Sequence, residues 1–147
     1  MKVAFDDPQN ARVLAYLRKG FAAPDAEHSS APPSLDNLTR HSPGTDLKLV
    51  ERLWHELTVM LPEPCAWVVY ARPVLVHPSS GLVFGFALGA HTYALKLDEP
   101  ELAQAVELGA RRLPLGRPWT LGDWRNQEVA WCLAAYRAAS TSSRPGS

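Results

Sequence analysis

From Leu82 to Leu88 large and small side chains alternate with a period of two, a pattern that only a β-strand sorts onto separate faces. The alternation predicts one face of Leu82, Phe84, Phe86 and Leu88, and an opposite face of Val83, Gly85 and Ala87 small enough for a helix or another backbone to approach closely. Gly89-Ala90-His91 forms a tight connection to a further strand, Thr92 to Leu97, so the segment reads as a hairpin. Upstream, Cys65 to Val76 is rich in β-formers, but Pro73 interrupts it. Proline cannot donate to a strand ladder, and two short strand pieces with a bulge or an edge at Pro73 are expected. Pro78-Ser79-Ser80-Gly81 is turn chemistry between these pieces and the hairpin.

Helical signals surround this block. Asp7-Pro8 offers an N-cap acceptor followed by a proline whose missing N–H costs nothing there, predicting a helix over 8–19 that closes at Gly20. Leu47, Val50, Leu53, Trp54, Leu57 and Leu61 recur at three- and four-residue spacing, predicting an amphipathic helix over 46–61 stopped by Pro62-Glu63-Pro64. Asp98-Glu99-Pro100-Glu101 resembles a capping box and starts a helix over 99–109. A last helix, 126–139, is expected to bury Val129, Cys132, Leu133 and Tyr136. The fold class is therefore α+β: an antiparallel β-meander of three to four strands within 65–97, packed by helices 46–61, 99–109 and 126–139, with an N-terminal helix 8–19.

Residues 21–44 differ in kind, combining Pro24, Pro32, Pro33 and Pro43 with serines and few large aliphatics. They read as a linker between an N-terminal helix (1–20) and a single domain (45–139), with 140–147 a disordered tail. On that division, limited proteolysis should cut within 21–44 and leave a folded fragment beginning near Thr45.

A chain of 147 residues with 46% hydrophobic and 20% charged residues is globular, and its 15 basic and 15 acidic residues generate no global field to attract nucleic acid or a membrane. The first residues contain no apolar leader and no run of eighteen apolar residues occurs, so a cytoplasmic protein that does not engage a membrane is expected. Cys65 and Cys132 make neither a disulfide framework nor a metal knuckle, and read as reduced, buried small hydrophobes.

From Val76 to Ala139 the order of features resembles the TfoX N-terminal and YjbR-like families. The resemblance is carried by a hairpin ending in the strand Tyr93 to Pro100, a short helix closing at Gly109, the irregular stretch Gly116-Arg117-Pro118-Trp119 and the last helix Glu128 to Ala139. It covers less than half the chain, and Arg72-Pro73-Val74 stands near the place of the Met-Phe-Gly entry often seen in the TfoX group. It implies a small α+β domain without a cofactor, associated in some members with competence regulation or a DNA-binding-like surface.

Chemistry-bearing constellations are sparse. His28, His41, His55, His77 and His91 lack metal-ligand spacing, and no serine-nucleophile or phosphate-loop motif occurs, so neither a metal nor a cofactor is expected. His77 and His91 stand at strand ends that could lie near each other, where a histidine could act as a base or sensor near neutral pH, but turn histidines at a solvent edge are more common. Asp98, Glu99 and Glu101 could mimic a magnesium-binding cluster if joined by Glu107 and Lys96, as in a nuclease site, but Asp98 and Glu101 are already accounted for by the first turn of a helix.

The charge map says more. Residues 110–147 hold six arginines against Asp123 and Glu128, a net of +4, while residues 91–109 hold Lys96 against four carboxylates, a net of −3. Arg111, Arg112, Arg117, Trp119, Trp124 and Arg125 interleave cations with aromatics, the residue types that meet phosphates, bases or acidic partners. The competing reading makes the tryptophans core anchors and pairs the arginines with the acidic helix. The chain reads first as a non-enzymatic binding or regulatory domain acting on a protein partner, of adaptor or immunity type, or on a polyanion through 111–125. A nucleic-acid-associated transcriptional or competence regulator is one alternative, and a small hydrolase or nuclease another.

Overall fold

The computed structural model describes residues 3–18, 30–34, 38, 47–88, 92–109, 111–112, 119–122 and 128–140. They form an α+β fold around one antiparallel sheet of seven strands: β1 Ser30–Ala31, β2 Ala66–Val69, β3 Arg72–Val76, β4 Val83–Leu88, β5 Thr92–Lys96, β6 Arg111–Arg112 and β7 Trp119–Gly122. The order across the sheet is β1-β2-β3-β4-β5-β7-β6. The four central strands are the expected meander. The other three come from segments with no legible strand pattern: β6 precedes the stretch from Gly116 that reads as irregular and β7 begins at its end, with β7 paired along β5 from Tyr93↔Gly122 to Lys96↔Trp119.

The helices are α1 Ala11–Arg18, α2 Leu47–Glu51, α3 Glu101–Glu107 and α4 Glu128–Ala138. Asp7 caps the 3-10 turn Pro8–Asn10 that leads into α1, accepting from the Gln9 N–H at 2.9 Å. Beyond α2 the chain widens into a π-helical turn, Arg52–Glu56, where the Leu57 N–H reaches the Arg52 carbonyl. The helix expected over 46–61 therefore ends early: Val59 and Met60 lie in a turn, and Leu47, assigned to the buried stripe, is exposed while Leu49 is buried. In α3 the carboxylate that holds the first turn is Glu99, accepting from the Ala103 N–H at 3.2 Å. On α4 the buried residues are Trp131, Cys132, Ala135 and Ala139, and Val129, Leu133 and Tyr136 are only half-buried.

Both faces of the sheet are covered. On one, Leu53, Trp54 and Leu57 from the α2 segment, Leu102 and Ala105 from α3, and Trp131, Cys132 and Ala135 from α4 pack over Leu75, Phe84 and Leu95. On the other, Val13, Leu14 and Leu17 of α1, with Val3, pack over Val69, Val74, Val76, Val83, Phe86, Ala94 and Trp119. Two buried faces explain why these strands read as nearly continuous hydrophobic runs.

Phe84 and Phe86, expected side by side, lie on opposite faces. The register shifts between Leu75 and Val76, where Leu75 faces Gly85 but Val76 faces Val83. Phe84 is the extra residue of a β-bulge, and the phase of every side chain beyond it is reversed. Gly85 then sits beneath Leu75 and Leu95; a Cβ there would lie 3.0 Å from one Leu95 methyl and 3.2 Å from one Leu75 methyl.

The break expected at Pro73 falls earlier. Tyr70 and Ala71 both adopt left-handed backbone (φ 50° and 63°), forming a two-residue hairpin turn between β2 and β3. Pro73 is inside β3, pairing with Val68, and is tolerated because the β3–β4 register begins only at Val74.

Asn10 pins the N-terminal segment to this framework. Fully buried, it donates from Nδ2 to the carbonyls of Ala4 (2.8 Å) and Gly81 (3.0 Å) and accepts from the Val83 N–H at 2.9 Å. Asn10→Ala should lower the unfolding free energy by about 2–4 kcal/mol, because it strands buried backbone groups. Denaturant titration tests this, and a loss below about 0.5 kcal/mol, the scale of a surface change, would remove the pin.

Candidate functional site

Of the residues expected to form one binding surface, Arg111, Arg112 and Trp119 fall within the described residues, on the neighbouring strands β6 and β7. Arg111 and Arg112 make up β6 at the outer edge of the sheet, and the Arg111 side chain is exposed. Trp119 is 2% exposed and packs against Phe86 with ring centroids 5.4 Å apart, so it is a core anchor and leaves the surface. Arg117, Trp124 and Arg125 lie outside the described residues, as does His91. Among the described residues no ion pair joins Arg111 to the carboxylates of α3. Two exposed aliphatics precede β6, Val106 and Leu108, the latter 67% exposed.

A second surface lies at the end of the α2 segment. There Trp54, His55, Thr58, Leu61, Pro62, Glu63, Pro64, Cys65 and Ala66 line a cavity of about 390 Å³. The Thr58 hydroxyl donates to the Trp54 carbonyl at 2.6 Å, and the Trp54 indole N–H reaches the Val74 carbonyl at 3.3 Å, anchoring this segment to β3. Between the lining residues Thr58 and Leu61, Val59 and Met60 are 70% and 59% exposed. A signal for them was present in the sequence, since both fall outside the apolar stripe of the predicted helix although neither is polar.

From the wall of this cavity, Glu63 enters a polar network. The Tyr136 hydroxyl donates to its carboxylate at 3.0 Å, and the Tyr136 ring stacks on His77 with centroids 4.6 Å apart. His77, expected at a solvent edge, is only 4% exposed; its Nδ1 accepts from the backbone N–H groups of Ser79 (3.1 Å) and Ser80 (3.2 Å). Burial lowers the His77 pKa below its ordinary value, against the opposing charge of Glu63. Partial desolvation, then the hydrogen bond to Glu63, raise that of Tyr136.

Cys65 and Cys132 are free and buried, and burial pushes each thiol up to about 12. A neutral imidazole with its acceptor nitrogen occupied, a neutral phenol and two neutral thiols offer binding and positioning, not an activated nucleophile. Among the described residues no group of three or more His, Cys, Asp or Glu side chains could hold a metal ion, and no helix is long and apolar enough to cross a membrane.

Comparison with protein-family models, with curated proteins and with solved structures returns no match in any of the three.

Proposed function

We propose that this chain is a non-enzymatic binding domain that docks a protein partner in the groove at the end of the α2 segment. The observation that carries the reading is the exposure of Val59 and Met60 beside a cavity lined by Trp54, Leu61, Pro62 and Pro64. An adjoining pair of solvated aliphatics next to an apolar groove is a docking signature, since folded monomers seldom leave such patches uncovered. Glu63 supplies one exposed carboxylate at the same place, so the fitting occupant is a segment with an apolar anchor flanked by a basic residue.

A second reading places a polyanion or an acidic partner on the β6 edge. It is favoured by the exposed Arg111 and, for a nucleic acid, by the resemblance of residues 76–139 to the TfoX and YjbR-like families.

One experiment separates them. Peptides selected on the wild-type protein should share an apolar anchor with Lys or Arg beside it, and the double change Val59→Ser with Met60→Ser should weaken them about tenfold or more, since each covered aliphatic side chain contributes about 1.5–3 kcal/mol. The thermal midpoint should scarcely move, as exposed substitutions alter stability by about 0.5 kcal/mol or less. If binding survives that change but is abolished by Arg111→Glu with Arg112→Glu, the β6 edge is the site. Retention on DNA or RNA that weakens steeply with salt would then make the partner a nucleic acid.

A further inference from the structure

We infer that His77 is a pH-sensitive latch whose protonation releases the C-terminal turn of α4 from the β3–β4 connection. The geometry needs a lone pair at Nδ1: two backbone N–H groups, those of Ser79 and Ser80, converge on that atom at 3.1 and 3.2 Å. This selects the neutral Nε2–H tautomer. The turn it organises is closed by the Gly81 N–H on the His77 carbonyl and the His77 N–H on the Leu82 carbonyl, both at 2.9 Å.

The same turn holds α4. Ser80 Oγ donates to the carbonyl of Ala139 and accepts from the Leu82 N–H, while the His77 ring stacks on Tyr136. Protonating Nδ1 would set an N–H against two N–H donors, losing both hydrogen bonds that organise the turn. Relief requires the ring to turn or the 78–81 loop to open. Either movement displaces Ser80, the residue that anchors Ala139.

The titratable groups facing the ring are Glu63, from the segment before β2, and Tyr136, from α4. Glu63 favours the cation and Tyr136 is neutral, but burial prevails and the His77 pKa is lowered. A group with a depressed cationic pKa leaves stability intact above its unfolded value, which is near 6.5 for histidine. As pH falls through that value the unfolded or opened chain takes up the proton first, and the latch weakens progressively until the folded pKa is passed.

Hydrogen exchange on the full chain tests the inference. After correction for the intrinsic pH dependence of exchange, the amides of Gly81, Ala139 and Ser140 should progressively lose protection as the pH falls from about 7.5 to about 5, through the ordinary histidine range. His77→Asn offers a side-chain oxygen as a non-titrating acceptor for the turn, and its protection should be independent of pH. Unchanged protection in the wild type, or the same pH dependence in His77→Asn, would overturn the latch. Should the variant fail to fold, the ring nitrogen shifts of wild-type His77 decide: an unprotonated Nδ1 at neutral pH that titrates below about 6.5 supports it, and an Nδ1–H tautomer refutes it.

Discussion

Phe84→Ala and Phe86→Ala should each lower the unfolding free energy by about 3–5 kcal/mol, and the two should loosen different helices. Both rings are completely buried, but the bulge at Phe84 sends them to opposite faces. Phe84 lies in the core beneath α2, α3 and α4, with its edge toward Tyr136 at 6.0 Å between centroids. Phe86 lies in the core beneath α1, against Tyr16 at 5.8 Å and Trp119 at 5.4 Å. Denaturant titration gives the two losses, and hydrogen exchange gives their location: α1 should lose protection in Phe86→Ala, and α4 in Phe84→Ala. A loss under about 1 kcal/mol for either ring would place it in solvent, since full truncation of a buried phenylalanine costs several times that.

The alternation at 82–88 shows why part of this fold was legible and part was not. Periodicity identifies a strand because it reports the pleat, and β4 and its hairpin partner β5 stand where it placed them. It assigns faces only while the phase holds. A bulge adds one residue with no compositional mark when that residue is a phenylalanine, so the predicted row of Leu82, Phe84, Phe86 and Leu88 breaks in the middle.

The turn at Tyr70-Ala71 was hidden for a related reason. Two left-handed residues normally advertise themselves as Asn-Gly, and here neither does, so the proline three positions on drew the boundary instead. Strands of two residues, such as β1 and β6, are shorter than one alternation and leave no trace.

The candidate sites divide in the same way. Residue chemistry identified Arg111 as a surface cation, but no local signal told a core tryptophan from an exposed one at Trp119, because that depends on β7 pairing with β5 across an intervening helix. The groove at Trp54 to Ala66 was missed because it exists only where the helix ends five residues before the period suggests. The polar network at His77 joins residues from three separated segments, and no spacing in the chain encodes it.

A fragment beginning at Thr45 should fail to fold, the opposite of what the Pro/Ser-rich composition of 21–44 suggests for a simple linker. The reason is the second core. Removing the first 44 residues takes away Val3, Val13, Leu14 and Leu17, each 6% exposed or less, and uncovers Val69, Val74, Val76, Phe86 and Trp119 on one face of the sheet. At about 1.5–3 kcal/mol per buried aliphatic side chain the four lost residues amount to roughly 6–12 kcal/mol, comparable with the entire stability of a typical domain. The Asn10 hydrogen bonds to Gly81 and Val83, and the bond from Lys96 Nζ to Gln9 Oε1 at 3.1 Å, go with them. Cleavage is a different matter from deletion. Cutting the intact chain within 21–44 severs one peptide bond but leaves those contacts in place, so the N-terminal piece should co-elute with the remainder on gel filtration and separate only in denaturant. The expressed fragment from Thr45, by contrast, should show no cooperative thermal transition and should bind hydrophobic dyes. A sharp, reversible unfolding transition in that fragment would mean that α1 contributes little, and that the face it covers is stable in water.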